Sequence, residues 1–315
     1  MELLTHLGIL VAPNPTFESA LYKARGYITM WFLFNLCTWY HSISLVMSVT
    51  GICFPELAEY TKRMAGFVVW EVLIFFSELN RVSVEVKGDE IDPFSAVFMA
   101  NHQSLADYIA LAAVAHKFRK GENGAIPWES VPQVNFFTWF TLARAPTVKA
   151  LFNMTRCDEN WELAQSQSDR MFKRVRDSNA PEWVVLFPEV NIWTSETSYL
   201  QSIQAHKYFL PEMRSVLYPR FSNFSNAIWS LRGEKVTRKA ARFSTLYDVS
   251  IVHNKPVTLL EYFSCKEPHV VTIHVKKKSL DKIPLRKPKM EKWLEKTWVE
   301  KNKLVGSLTR LASSE

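Results

Sequence analysis

From Gly26 to Pro55 the chain carries no charged residue: GYITMWFLFNLCTWYHSISLVMSVTGICFP. A helix needs about 20 mostly apolar residues to cross the hydrocarbon of a bilayer, and this run is longer than that. Trp31, Trp39 and Tyr40 suit a membrane interface, and Lys23 with Arg25 guards the N-terminal flank. The run starts too far in, is too long and lacks a small-residue cleavage site, so it does not read as a signal peptide. Membrane insertion is expected over about 27–54. His41, Asn35 and several serines leave a single span and a re-entrant, two-piece insertion both open.

A second apolar stretch, AGFVVWEVLIFFSEL (65–79), contains Glu71 and is short for an independent span. It reads as a buried helix, an interfacial helix or the return leg of a hairpin. A hairpin would put Lys23, Arg25, Arg81 and Lys87 on one side, as the positive-inside rule prefers. The division that follows is a membrane-anchoring helical segment over 1–80 and a catalytic domain over 81–315.

After Leu79 the pattern changes. VSVEV (82–86), SAVFMANH (95–102), EWVVLFPE (182–189), SVLYPR (215–220), LYDVSIV (246–252) and VTIHV (271–275) read as short strands. Helical patterns lie between them, at Leu105–Phe118, Glu159–Asp177, Gln201–Leu210 and Asn223–Ala240. Strands alternating with helices predict an α/β fold: a mixed, mainly parallel sheet with helices on both faces, its chemistry at the carboxyl ends of strands. The last segment, KPKMEKWLEKTWVEKNKLVGSLTRL, spaces Met290, Leu294, Trp298 and Leu304–Val305 as an amphipathic helix, docked on the domain or lying on a membrane.

Charge is uneven along the chain. Residues 232–310 hold 19 Lys/Arg against 8 Asp/Glu. Such a basic third suits nucleic acid, an anionic membrane surface or a phosphorylated ligand. No zinc spacing, helix-turn-helix or RNA-binding signature accompanies it, so nucleic acid is not the expected partner. The four cysteines (Cys37, Cys53, Cys157, Cys265) are too scattered for a disulfide framework or a zinc knuckle.

The chemistry-bearing signal is Asn101-His102-Gln103-Ser104-Leu105-Ala106-Asp107. A strand delivers His102 to a carboxyl edge, and Asp107 sits in the first turns of the next helix, within reach of the imidazole. A carboxylate on one ring nitrogen fixes the tautomer and makes the other nitrogen a better base. No G-x-S-x-G elbow supplies a serine nucleophile, so an acceptor hydroxyl would be the group deprotonated. Ser104, Gln103 and free N–H groups of the helix start are candidates for oxyanion stabilisation. The spacing alone is common by chance, and by itself it favours a helix-capping His and an Asp on a solvated face. Two further features add weight. Phe187-Pro188-Glu189 closes a neighbouring strand with a carboxylate, and Leu217-Tyr218-Pro219-Arg220 and Arg156 bring cations that bind phosphate as forks. A His/Asp metal-dependent phosphohydrolase would need more ligands than the chain clusters anywhere, and no metal site is expected.

NHQSLAD followed by FPE resembles the glycerophospholipid acyltransferase superfamily, whose hallmark is His-x4-Asp with a downstream Phe-Pro-Glu-Gly block. The detail resembles the branch of lysocardiolipin, lysophosphatidylinositol and certain 1-acylglycerol-3-phosphate acyltransferases. Arg156-Cys157-Asp158-Glu159-Asn160-Trp161, the stretch from Ala205 to Arg220, Tyr247-Asp248-Val249-Ser250 and Lys292-Trp293-Leu294 follow in family order. The similarity runs from about residue 25 to 310. It implies a membrane-inserted N-terminal helical element, a mixed sheet with flanking helices, and an acyl-CoA donor used without a cofactor. It further implies His102 and Asp107 as catalytic residues, with Asn101, Ser104, Pro188, Glu189, Arg156 and Arg220 around lysophospholipid and acyl-CoA. The lipid bilayer, specifically the endoplasmic reticulum membrane with the domain facing the cytosol, is the expected place. Val190 departs from the family glycine, and Ala145-Pro146-Thr147 stands where the family has Gly-Trp. Glycine lets a backbone approach a ligand closely, and Val190 does not. That departure motivates the second expectation, an acyltransferase-fold lipid-binding or regulatory membrane protein with weak catalysis.

Overall fold

The computed structural model describes residues 17–119, 126–138, 155–156, 165–232 and 242–312. Cys157, Ala145-Pro146-Thr147, Asn160-Trp161 and the end of the helical pattern past Arg232 lie outside the described residues, as does the side chain of Arg156.

Two helices come first, α1 (Phe17–Thr50) and α2 (Pro55–Leu79). Pro55 begins α2, where the N–H it lacks would have no helical partner. Phe32 meets Phe76, Tyr40 meets Gly66 and Ser48 meets Lys62, so the pair is an antiparallel hairpin. Ala20–Thr50 is long and apolar enough to cross a membrane, and it turns Ile28, Trp31, Phe34, Trp39, Leu45 and Val49 outward. α2 differs. Its Ala65, Val69, Trp70 and Leu73 are buried in the domain core. Glu71, the charge that spoiled the apolar stretch, pairs with His116 at 2.7 Å and Arg119 at 3.2 Å. The stretch 65–79 is therefore a helix packed on the domain and the return leg of the hairpin at once.

The strands are β1 (Val82–Gly88), β2 (Ala96–Ala100), β3 (Gln133–Thr138), β4 (Thr155–Arg156), β5 (Glu182–Leu186), β6 (Thr245–His253) and β7 (His269–Ser279). They form one sheet in the order β1-β7-β6-β2-β5-β3-β4. Every neighbouring pair is parallel except β6 with β7. The helices are α3 (Ala106–Lys117), α4 (Gln165–Asp177), α5 (Ser195–Tyr208), α6 (Phe221–Arg232), the short α7 (Leu259–Tyr262) and α8 (Lys287–Ala312). The central strands are buried on both sides, and alternate residues feed two cores. Phe98, Trp183, Val185, Val249 and Ile251 face α2 and α3. Val97, Met99, Val184 and Leu186 face α4, α6 and α8. This is the mixed, mainly parallel sheet with helices on both faces that the sequence predicts.

α8 is the docked helix of the two alternatives: Met290, Leu294, Trp298 and Val305 are fully buried. SVLYPR is a correction, since 210–220 is irregular rather than a strand. The neighbouring β5 already has β2 and β3 on its two sides. The N–H groups of the segment go elsewhere: Ser215 to Asn302 at 2.8 Å, Tyr218 to Gln201 at 2.7 Å, Arg220 to the Pro188 carbonyl at 2.7 Å. Side chains of α5 and α8 thus take the place of a strand partner.

Candidate active site

β2 and β5 are parallel neighbours, with Ala96 beside Trp183 and Met99 beside Leu186. The residues that follow each strand therefore emerge side by side at one carboxyl edge. From β2 come Asn101 and His102, and from β5 come Phe187, Pro188 and Glu189.

Asn101 is fully buried and spends its amide on β6, donating to the Ile251 carbonyl (2.9 Å) and accepting the Ile251 N–H (2.7 Å). It fixes where the chain leaves the sheet. The turn then brings Asp107 back under His102, with Nδ1 of the ring 2.9 Å from Oδ2. The same oxygen accepts the N–H groups of Gln103 (2.7 Å) and Ser104 (3.0 Å). Those N–H groups, expected to be free for an oxyanion, are thus engaged by Asp107. Ser104 Oγ donates to the Val257 carbonyl at 2.8 Å and accepts from Ala106 N, so it too is committed to the fold. Burial opposes charge on Asp107, yet the hydrogen bonds from His102 and His253 outweigh it and hold the carboxyl well below the usual range.

An ionised carboxylate accepts only, so Nδ1 of a neutral His102 carries the proton and Nε2 holds a lone pair. Nε2 is buried and has no hydrogen-bond partner among the described residues. Phe187 stacks on the ring, centroids 4.4 Å apart, and Tyr108 meets it edge-on at 5.1 Å. An oriented imidazole with one free lone pair in an aromatic niche is the arrangement of a general base.

Glu189 is 2% exposed. Its Oε2 lies 3.4 Å from the His102 N–H, and its Oε1 3.3 Å from Trp298 Nε1 of α8. Burial pushes this carboxyl up to about 8, against the N–H groups of Leu217 and His102, the Lys301 ammonium and Trp298. Beneath it Lys301, buried on α8, pairs with Asp248 at 2.7 Å and donates to the Val249 carbonyl. Glu189 thus supports the backbone of His102. Val190 follows at φ 70, buried among apolar side chains. The left-handed region is costly for a β-branched residue and free for glycine.

Arg220 is exposed and lines a cavity of about 360 Å³ with Gln201, Tyr218, Phe221 and Glu291. Its backbone N–H is tied to Pro188, which places this cavity beside the FPE turn. Arg156 belongs to β4, which pairs with the carboxyl end of β3, the edge at which the FPE turn also leaves β5.

His253, His269 and Lys301 escaped the sequence reading, and Trp298 was read only as an apolar residue of the last helix, not as a partner of Glu189. His253 ends β6, which is parallel to β2, so the carboxyl-edge rule that found His102 also points to it. Lys301 continues the 290, 294, 298, 305 stripe of α8, a charge on an otherwise apolar face.

The family model described as "Acyltransferase C-terminus" matches residues 261–310. A probable 1-acyl-sn-glycerol-3-phosphate acyltransferase 5 of Arabidopsis thaliana is 23% identical over 93% of this chain and 76% of its own length. Lysocardiolipin acyltransferase 1 of Gallus gallus is 24% identical over 69% of this chain, which spans only 55% of that protein. Among solved structures, the 1-acyl-sn-glycerophosphate acyltransferase PlsC of Thermotoga maritima is similar at 13% identity and a TM-score of 0.49, covering 91% of this chain and 97% of that one. The sequence similarity to the Arabidopsis thaliana relative extends along nearly the whole chain.

Proposed function

We propose, from its similarity to lysophospholipid acyltransferases, that this chain transfers a fatty acyl group from acyl-CoA to the free glycerol hydroxyl of a lysophospholipid. The observation that carries the reading is the buried His102–Asp107 pair, with Nε2 of the ring unpartnered among the described residues. His102 takes the hydroxyl proton through Nε2, and the alkoxide attacks the thioester carbonyl. The tetrahedral intermediate collapses, the C–S bond breaks, and the imidazolium returns its proton to the CoA sulfur. Asp107 orients the ring and stabilises its cation. The alcohol attacks directly, so no covalent enzyme intermediate, metal or cofactor is used.

Arg220, beside the FPE turn, is suited to the phosphate of acceptor or donor, and Arg156 is assigned the same chemistry. Asn101, Ser104, Pro188 and Glu189 shape the edge rather than touch substrate, because their polar atoms are engaged by the fold. Residues 1–80 serve as the anchor, with the outward apolar face of α1 in the bilayer, and 81–315 as the catalytic domain. Acyl-CoA is made in the cytosol, so the domain faces it at the endoplasmic reticulum membrane.

A second reading, a weakly catalytic lipid-binding protein, is favoured by the closed His102 niche and by Val190 at a positive φ. One experiment separates the two. Membranes carrying the full chain are given labelled acyl-CoA and lysophosphatidic acid, lysophosphatidylinositol or monolysocardiolipin. The enzyme reading expects CoA release and a diacyl product with at least one acceptor; lipid binding without product from any acceptor supports the second.

A further inference from the structure

Asp107 has two oxygens, and the base uses only one. Oδ1 lies 2.7 Å from Nε2 of His253, the last residue of β6. Nδ1 of His253 lies 2.9 Å from Nε2 of His269, the first residue of β7. His253 and His269 are buried, and Nδ1 of His269 has no partner among the described residues. Three imidazoles and one carboxylate thus form a single line, and no group among the described residues is arranged to hold a metal ion.

The donors in this line follow from what each atom is able to accept. The ionised Asp107 donates nothing, so Nε2 of His253 carries a proton. Two arrangements remain for the next contact. If His253 donated from Nδ1 as well, it would be a buried cation cancelling the charge His102 relies on. His269 would then carry its proton on the unpartnered Nδ1, leaving a buried donor unpaired. If His269 donates, only a lone pair is left over, the more common defect in folded proteins. His269 is moreover held neutral: burial, with His253 and Lys255 adding to it, pushes it down to about 3. The groups facing His253 are Asp107 and, beyond it, His102 on the α3 side, His269 from β7, Tyr262 whose ring is 6.1 Å from that of His269, and Lys255.

We propose that His253, backed by His269, is a positioning residue for the catalytic base, fixing the free oxygen of Asp107 through a one-way line of N–H donors that ends on the carboxylate. The proposal rests on the reading of His102 as the base. With its second oxygen pinned, Asp107 keeps its plane and its distance to the imidazole as the ring gains and loses a proton. Removing that pin lets the carboxylate rotate. It also leaves more of its charge facing His102, which raises the proton affinity of the base.

The test uses the full chain in membranes. His253→Phe keeps the volume and deletes the donor, whereas His253→Gln keeps a donor at similar reach. In His253→Phe, kcat falls on the order of 10- to 100-fold, KM for both substrates stays within about twofold, and the acid limb of kcat/KM moves to higher pH. His253→Gln recovers most of kcat and returns the limb to its wild-type place. Unchanged kcat and pH limb in His253→Phe, or equal impairment in both variants, overturns the proposal. His269→Phe reads the same line one step back, with a smaller loss of kcat, should His253→Phe fail to fold. A readout independent of turnover is the low-field imidazole N–H proton spectrum of ring-15N-histidine protein. At neutral pH His253 should show a proton on Nε2 and none of its own on Nδ1; protons on both nitrogens overturn the assignment. If wild-type protein shows this pattern but transfers no acyl group, the functional reading fails and the line of donors stands.

Discussion

Glu189 and His102 meet through the backbone: the carboxyl Oε2 lies 3.4 Å from the His102 N–H at the carboxyl edge of the sheet. The strand that delivers the base is thereby tied to the turn that closes the neighbouring strand. Through Trp298 the same carboxyl is tied to the last helix.

Because burial raises Glu189 to about 8, its side chain is mostly protonated at neutral pH; Glu189→Gln matches that charge, although its NH2 group cannot accept one of the two N–H bonds, from His102 or Trp298, that the carboxyl oxygens take. Activity at pH 7 is expected within about threefold of wild type. The sign for stability follows from linkage. Between its ordinary value of 4.5 and about 8 the folded state holds a proton that the unfolded state has released, so wild-type stability falls as pH rises through that window. The slope from this group reaches at most about 1.4 kcal/mol per pH unit. Denaturant unfolding from pH 5 to 8 should show that fall in wild type and a flatter curve in Glu189→Gln. Parallel curves would mean that Glu189 is ionised throughout.

Val190→Gly removes a β-branched residue from φ 70. Relief of strain, roughly 1–2 kcal/mol, offsets the apolar burial lost with the side chain, roughly 1.5–3 kcal/mol. Net stability should change by less than about 1.5 kcal/mol, with kcat at half the wild-type value or better. A loss above about 3 kcal/mol in equilibrium unfolding would mean that the packing of Val190 outweighs its backbone strain at this turn.

What was legible in the sequence was local. His102 and Asp107 sit five residues apart on one strand–turn–helix unit, so their spacing alone brings them together. The apolar runs of β2, β5 and β6 mark the central strands, and their alternation with helices points to a mainly parallel sheet. Long-range partners were not legible. His253 reaches Asp107 from 146 residues away, and Lys301 reaches Met99 from 202. Leu217-Tyr218 looked like a strand because apolar runs alone do not reveal that Gln201 and Asn302 take the backbone N–H groups. β3 was missed because QVNFFT alternates for only a few residues after Pro132. The sequence shows Glu189 and Ser104 as polar residues at a strand edge, not that their oxygens meet His102, Trp298 and Val257 within the fold.

Arg220→Ala leaves the backbone bond to Pro188 intact and removes only the guanidinium from the cavity it lines. Apparent KM for the phosphate-bearing substrate should rise about tenfold, since a hydrogen bond to a charged group is worth roughly 1.5–3 kcal/mol, with kcat changed less. Unchanged KM for donor and acceptor in steady-state kinetics would remove Arg220 from the site.

The hairpin of α1 and α2 should enter and leave the membrane on one side, with the domain in the cytosol. Asn153-Met154-Thr155 and Asn223-Phe224-Ser225 both fit the N-glycosylation pattern. Glycosidase treatment should therefore cause no mobility shift, and protease added to intact microsomes should digest the domain. A glycosylated, protease-protected chain would place the domain in the lumen and make α1 a complete span.

The central claim is that His102 is the base for acyl transfer, and His102→Ala tests it most directly. The substitution removes a ring buried beside Phe187 and Tyr108, so folded, membrane-bound protein is quantified first. Acyl transfer per folded molecule, measured as product formed from labelled acyl-CoA and the best acceptor, should fall by at least about 1,000-fold, in the range lost when a catalytic base is removed. Asp107→Asn should be nearly as severe. Turnover within about tenfold of wild type in correctly folded His102→Ala membranes would contradict the account.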